Sequence, residues 1–596
     1  MNGMPMGQGL RPEDRSRKYK LSRTVELTRW IFSRLADAKR RVLLILLLCV
    51  LISLGNLAIP VMIGRAIDDV KVSDRLVVAL ALLAAVYVFT ALLGWLQGKS
   101  VSRLAQKIGH ALRGELYKHS LFLPVSYMDT HPRGDMMSRV TNDVESVVQA
   151  VSMVIPGLLS AVITIVGCTV IMLFMNTTIA LINLGVGLAM ALCGSLYSRL
   201  MFGVVRRQQQ ALGSLNAVVS ESMANRHSVY AYGRQAEENR IMADASDAME
   251  RAGIRAQVLG AVVEPMMNVL GNVAFLATAI LGGYLVISRS ITLGVIQACL
   301  LYSRQLLKPL TELGMLLAQV QGSMACTDRI RELAEAAPEA DDGTVNLTNA
   351  QIAGGINFRD ISFSYIRERK VLNGFSLSIR PRETVAIVGA TGAGKTTLMN
   401  LLLRFYEPDS GTISIDGTDI RDIPRRRLHG CMAAILQDGS LMTDTVANNI
   451  AYGDPAASQE EIAGAAALVH ADTFIRQLPE DYRTVIGQDE SGSVLSDGQR
   501  QLVCLARIPL LDPRILIMDE ATSAVDAHTE QLVQDALAEI RRGRTCIIIA
   551  HRLNTIRDAD RIVMIDHGAI VEEGTHPELM RRKGRYYGLY MSGLSE

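Results

Sequence analysis

Residues 389–396 read Gly389, Ala390, Thr391, Gly392, Ala393, Gly394, Lys395 and Thr396, directly after the apolar stretch 384–388. Those residue types at that spacing suit a phosphate chain. Glycines let backbone N–H groups close on phosphate oxygens, and the Lys395 ammonium pairs with β- and γ-phosphate charge. The Thr396 hydroxyl can reach Mg2+ at a helix N-terminus that already favours anions. Thr397, at the same helix start, is counted with them as a nucleotide contact. A second constellation follows the apolar run Ile515, Leu516, Ile517, Met518, which has the pattern of a buried parallel strand and ends in Asp519 and Glu520. Two carboxylates are thereby placed at the carboxyl edge of a sheet, where doubly wound folds put their ligands. Asp519 would hold Mg2+, and Glu520 would orient and deprotonate a water for in-line attack on a phosphoryl group. Two acids that merely end a strand are the duller alternative, and the phosphate loop upstream weighs against it.

Between the two constellations, Val494, Leu495, Ser496, Asp497, Gly498 and Gln499 resemble the signature motif of ABC transporter ATPases. The resemblance extends, in the family's order, to Tyr365 as the aromatic that stacks on adenine and Gln437 as a glutamine that reaches the metal and the reacting water. It continues with the run Ser523, Ala524, Val525, Asp526, and with His551 as the switch histidine. It implies ATP and Mg2+ as cofactors and Lys395, Gln437, Glu520 and His551 as the catalytic set. Tyr365, the loop 389–397, Ser496, Gly498 and Gln499 would bind nucleotide, and Thr396, Gln437 and Asp519 the metal. In this family ATP is sandwiched between the phosphate loop of one domain and the signature of another. One copy of each is present here, so the resemblance implies that two half-transporters pair. Asp497 departs from the glycine usual at its position, and an extra carboxylate near a γ-phosphate is unfavourable unless it points away. The expected partner is therefore a different chain, in a heterodimer with one altered ATP site, ahead of a homodimer.

Elements able to position this chemistry are set by an uneven composition. The chain has 596 residues, 49% of them apolar but only 5% aromatic, and a mean hydropathy of +0.23. Before about residue 320 long apolar runs alternate with basic polar stretches, and after it comes the mixed pattern of an α/β domain. Residues 42–63, 76–96, 154–175, 179–196, 258–287 and 293–317 are each long enough to cross about 30 Å of hydrocarbon, the last two being more polar, as suits helices lining a cavity. The connections 98–152 and 198–257 are long, basic and helical in pattern, so the spanning helices should continue past the bilayer. The positive-inside bias puts those connections, both termini and the ATPase domain in the cytoplasm, at a cell membrane. The expected fold is multidomain: an all-α six-helix transmembrane domain over 1–325, a linker over 326–348, and an α/β P-loop nucleotide-binding domain over 349–596.

Family resemblance also covers the membrane half. Leu123 to Asp129 with Gly134, Asp135, Ser138, Arg139 and Asp143 resembles the first cytoplasmic coupling region of exporter-type half-transporters, and His227 to Gln235 the second. Ile296, Gln297 and Ala298 with Leu301 to Gln305 and Pro309 are similar to the sixth helix of the bacterial multidrug branch. Export of amphipathic or hydrophobic small molecules is thereby implied, with a lipid or lipopeptide flippase or a siderophore importer on the same fold as alternatives. Glu264, beside Pro265, and the face formed by Arg304, Lys308 and Glu312 are ionisable groups at membrane depth, readable as substrate contacts or as structural ion pairs. A net charge of +2 with no concentrated basic surface argues against a nucleic-acid partner. The eight cysteines are scattered singly and read as free thiols. The long basic N-terminus does not resemble a cleavable leader.

Overall fold

A computed structural model describes Trp30 and residues 38–71, 73–345, 351–366, 369–435, 440–487, 495–519, 527–549 and 556–593. The chain divides into two units, one of Met1–Leu121 with Pro132–Ala336, the other of Phe122–His131 with Ala337–Glu596. The division falls after a helix that runs unbroken to Glu335, so 326–335, expected as linker, is helical and part of the first unit.

The first unit is built from α1 (Ala38–Asp68), α2 (Ser73–Ser120), then, beyond a short helix of the other unit, α3 (Val125–Thr130), α4 (Val144–Met175), α5 (Thr177–Ala224), α6 (Gln235–Ile287) and α7 (Leu293–Glu335). Among the described residues five helical stretches, Lys39–Asp68, Asp74–Ser120, Arg133–Met175, Thr177–Ala224 and Gln235–Ile287, are long and apolar enough to cross a membrane. At 1.5 Å per residue a helix the length of α5 reaches about 70 Å, more than twice a hydrocarbon core, so the long basic connections are indeed continuations of spanning helices. α7 is as long but does not reach that apolarity. It packs among α1, α4 and α6, and a helix with protein on several sides need not be greasy all round.

Helix ends are capped where the sequence turns sharply. Asn176 accepts a hydrogen bond from the Ile179 N–H, and Thr292 from the Val295 N–H. Asp68 holds the other end of that second turn, its carboxylate accepting from the Thr292 hydroxyl at 2.7 Å and the Gly294 N–H at 2.8 Å. Inside the bundle, Asn183 of α5 donates to the Thr278 hydroxyl of α6 at 2.9 Å and accepts from the Ser303 hydroxyl of α7 at 2.5 Å, all three residues being buried. Buried Tyr302 donates to the Leu57 carbonyl of α1. Of the ionisable face on α7, Lys308 and Glu312 pair at 3.9 Å, whereas Arg304 lies 4.7 Å above the Phe275 ring. Glu264 is exposed.

In the second unit, Ala337–Glu596 contributes an antiparallel sheet and a mostly parallel one. The first runs β2-β1-β4, from β1 (Ile356–Phe363), β2 (Leu372–Ile379) and β4 (Ser410–Ile415), with Thr418–Asp419 at its edge. The second comprises β3 (Thr384–Val388), β5 (Met432–Ile435), β6 (Ile515–Asp519), β7 (Thr545–Ile549), β8 (Arg561–Asp566) and β9 (Ala569–Gly574). They run in the order β9-β8-β3-β7-β6-β5, with only β9 antiparallel. Successive residues of β3 enter opposite cores, Ala386 and Val388 one, Val385 and Ile387 the other. Burial on both faces is why these strands read as unbroken apolar runs. All eight cysteines are free, and burial pushes the Cys431 and Cys546 thiols up to about 11, far from the thiolate form.

Replacing Asn183 by Leu removes the buried tie among three helices and leaves two hydroxyls to find other partners in an apolar setting. A loss of about 1–2 kcal/mol is expected. It reads as a lower thermal unfolding midpoint of the detergent-solubilised chain; an unchanged midpoint would show that the tie contributes nothing.

Candidate nucleotide site

β3 ends at Val388 and the glycine-rich loop leads into α8 (Lys395–Leu402). Gly389 must be glycine, because a Cβ there would stand 2.2 Å from the Ile565 carbonyl oxygen of β8. Gly394, the residue before α8, has φ of +102°, a region that side chains rarely adopt. The Lys395 side chain is buried, and its ammonium donates to the carbonyls of Gly389 at 2.7 Å and Ala390 at 3.1 Å. The positive charge is thus kept within the loop. Ala390, Thr391, Gly392 and Thr396 are exposed, Gly389 half-buried, and Ala393 and Thr397 buried. The Ala393 N–H is already committed to the Ala390 carbonyl at 3.1 Å.

Parallel register brings the second constellation to this loop. Ile549 of β7 stands opposite Ile387 of β3 on one side and Asp519 of β6 on the other. Asp519 therefore lies at the carboxyl edge level with Ile387, two residues before the loop begins, and two strand spacings away, about 10 Å. A carboxylate and the Thr396 hydroxyl are hard oxygen donors, the type Mg2+ takes alongside phosphate oxygens. Among the described residues no group of three or more His, Cys, Asp or Glu side chains could hold a metal by itself. Gln437, Glu520, His551, Val494 and the run Ser523 to Asp526 lie outside the described residues.

Tyr365 is 44% exposed, which leaves ring surface for a base to stack on. Its ring meets Phe363 at 4.9 Å and Tyr406 at 5.0 Å, both nearly at right angles, and its hydroxyl accepts from Asn400 of α8 at 3.2 Å. Tyr406 in turn donates to the Asp129 carboxylate of α3 at 2.6 Å. Burial, then that bond to a carboxylate, pushes the Tyr406 phenol well above its usual value, so it remains a donor at neutral pH. Sequence reasoning named Asp129 only as part of a coupling segment and passed over Tyr406 and Asn400, since nothing local to 400–406 marks them as neighbours of either Tyr365 or residue 129.

The signature residues open α9 (Asp497–Leu505). Ser496 caps it, accepting from the Gln499 N–H at 3.3 Å, while the Gln499 side chain accepts from the Ser496 N–H at 3.0 Å. Gln499 thus orients Ser496. A hydroxyl that accepts one bond still has its own hydrogen to give, and Ser496 is exposed, while Gly498 is buried against the helix start. Asp497 is held by Arg500 one turn on, at 2.8 Å. An acid in the first turn also suits the helix dipole, so the departure at 497 has a local compensation within its own helix.

Comparisons with known proteins give a matching assignment for each half. The family model of the ABC transporter transmembrane region matches residues 42–310, and the family model described as ABC transporter matches residues 372–523. The chain is 37% identical over 583 residues to an uncharacterized ABC transporter ATP-binding protein, YfiC, of Bacillus subtilis, covering 97% of this chain and 96% of the relative. It is 39% identical over 532 residues to a fatty acid ABC transporter ATP-binding/permease protein of Mycobacterium bovis (88% and 82% covered). An ATP-dependent lipid A-core flippase of Syntrophus aciditrophicus is 36% identical over 502 residues (84% and 83% covered).

Arg500→Ala should leave the Asp497 charge unscreened and raise the KM for ATP several-fold, about three- to tenfold. Adding Asp497→Gly should return it to the starting value. A double variant as impaired as the single one would show that Arg500 acts through something other than Asp497.

Proposed function

Because the chain belongs to the ABC transporter family, with membrane region and ATPase in one multi-pass polypeptide that hydrolyses ATP to drive transport, we propose that it exports amphipathic or hydrophobic small molecules as one half of a dimer. The observation that carries this is the joining, in a single chain, of five membrane-length apolar helices to a phosphate loop and a signature helix. Lys395 binds the β- and γ-phosphates, Tyr365 stacks on adenine, and Ser496 with the backbone at Gly498 and Gln499 donates to the γ-phosphate held by the partner chain. Thr396, Gln437 and Asp519 would hold Mg2+, which would supply charge neutralisation on the phosphates. Glu520 orients and deprotonates the attacking water, and His551 serves as the switch histidine. ATP then forms part of the dimer seam, and its hydrolysis weakens that seam and shifts the membrane helices between inward- and outward-facing states. The long basic helical extensions and the ATPase lie in the cytoplasm.

A lipid-like cargo is the second reading, favoured by the names of the Mycobacterium and Syntrophus relatives. The partner is a different half-transporter: Asp497 remains a mostly exposed charge in a loop that must face a γ-phosphate, which an asymmetric pair with one altered site tolerates best.

Two measurements test these proposals. Glu520→Gln should abolish ATP-dependent uptake into inside-out vesicles and lower hydrolysis roughly 100-fold or more while ATP still binds; undiminished hydrolysis would remove Glu520 from its role. The chain expressed alone should hydrolyse ATP poorly, whereas full activity with two equivalent sites would establish a homodimer.

A further inference from the structure

The membrane unit holds a cavity of about 590 Å3 between α1, α2, α4 and α7. Its polar lining includes Gln97, Ser160, Gln319 and Glu312, and its apolar lining includes Met153 and Met315. Among the described residues Glu312 is the one acid in that lining, and no lysine or arginine belongs to it. Gln97 gives one amide N–H to the Cys49 sulfur at 2.7 Å and keeps a second N–H and its carbonyl oxygen. The amides and the serine hydroxyls can each donate or accept, so the Glu312 carboxylate is the group in this lining that sets a charge preference.

Depth follows from helix geometry. The α1–α2 and α6–α7 turns end their helices at Asp68, Ser73, Ile287 and Leu293, and the α4–α5 turn at Met175. Counted from those ends at 1.5 Å per residue, the lining residues lie about 22–39 Å away along their helices. Since a hydrocarbon core is about 30 Å thick, the cavity sits at the boundary of the leaflet nearer the long helical extensions. That is where an amphipath in that leaflet keeps its head, with its chain directed into the core. The two methionines offer adaptable apolar surface at the same level.

Lys308 approaches Glu312 only at 3.9 Å, one turn along the same helix, with a side chain that is 79% exposed. A pair of that kind contributes little and can yield to a ligand cation. An anionic head would meet the Glu312 charge, which Lys308 offsets from 3.9 Å away without itself lining the cavity.

We propose that this cavity is a headgroup site for amphipaths carrying an ammonium group, with Glu312 as the residue that selects the charge. The proposal rests on the reading of the chain as a pump for amphipathic molecules, and it assigns a class of cargo opposite in charge to a fatty acid.

The test uses the full chain in dodecyl maltoside micelles, which contain no ammonium heads, without ATP. Two probes share one dodecyl chain and one fluorophore; one ends in a primary ammonium, the other in a carboxylate. The ammonium probe should bind about tenfold more tightly. Glu312→Gln should lower its affinity about tenfold without weakening the carboxylate probe, Glu312→Asp should retain the preference, and Glu264→Gln, an exposed acid on α6, should leave both affinities unchanged. Equal binding of the two probes, or equal weakening of both by Glu312→Gln, would overturn the proposal. Added phosphatidylethanolamine displaces the ammonium probe if the natural ligand is a bilayer lipid, and leaves it bound if the ligand is a soluble amphipath. Because binding is read without nucleotide, a failure here leaves the pump reading to the Glu520→Gln uptake assay, and a failure of that assay leaves this binding result intact.

Discussion

Ile549 stands between Ile387 and Asp519, and everything the ATPase half can do depends on that register. Parallel strands place all their carboxyl ends at one edge, so one central strand sets how far the phosphate loop after β3 lies from the carboxylate that ends β6. A slip of one residue would turn Asp519 to the other face and send its charge into an apolar core. The register is guarded by burial on both faces: Val385, Ile387, Ile517 and Ile547 fill one core while Ala386, Met518 and Ile548 fill the other.

Charge is handled locally throughout this site. The Lys395 ammonium rests on two carbonyls of its own loop, and Asp497 is matched by Arg500 within one turn of helix. Such short-range pairs orient a group while leaving it able to exchange partners, because a partly exposed pair is worth little in itself. Ser496 and Gln499 show the same economy: one capping box both starts α9 and aims a hydroxyl outward.

The membrane unit solves a different problem, holding long helices together where water supplies no hydrogen bonds. Asn183, Thr278 and Ser303 satisfy one another, and Tyr302 finds a backbone carbonyl on α1. The α2 helix ends at Ser120, and Phe122–His131 then belongs to the ATPase unit before the chain returns to the membrane unit at Pro132. Within the ATPase unit that excursion is held by the Glu339 N–H on the Phe122 carbonyl and by Tyr406 on Asp129.

Much of this was legible without coordinates. The loop 389–396 and the strand ending at Asp519 are contiguous patterns, and the bilayer's thickness makes a spanning helix a run of apolar residues, so local periodicity reveals them. The helical continuation of the basic connections was readable for the same reason. Even the polarity of α7 could be seen, though not that Arg304 covers Phe275 instead of joining Lys308 and Glu312. Tertiary structure alone decided the contacts between distant segments: Tyr406 with Asp129, Asn183 with Thr278 and Ser303, and the four helices that bring Gln97, Ser160 and Glu312 around one cavity. It also decided that the helix expected to give way to a linker at 326 runs to Glu335. Local sequence specifies backbone period and turn chemistry, because those energies act between near neighbours. Which side chains meet across the fold depends on helix rotation and strand register, which only the packing of the whole chain determines.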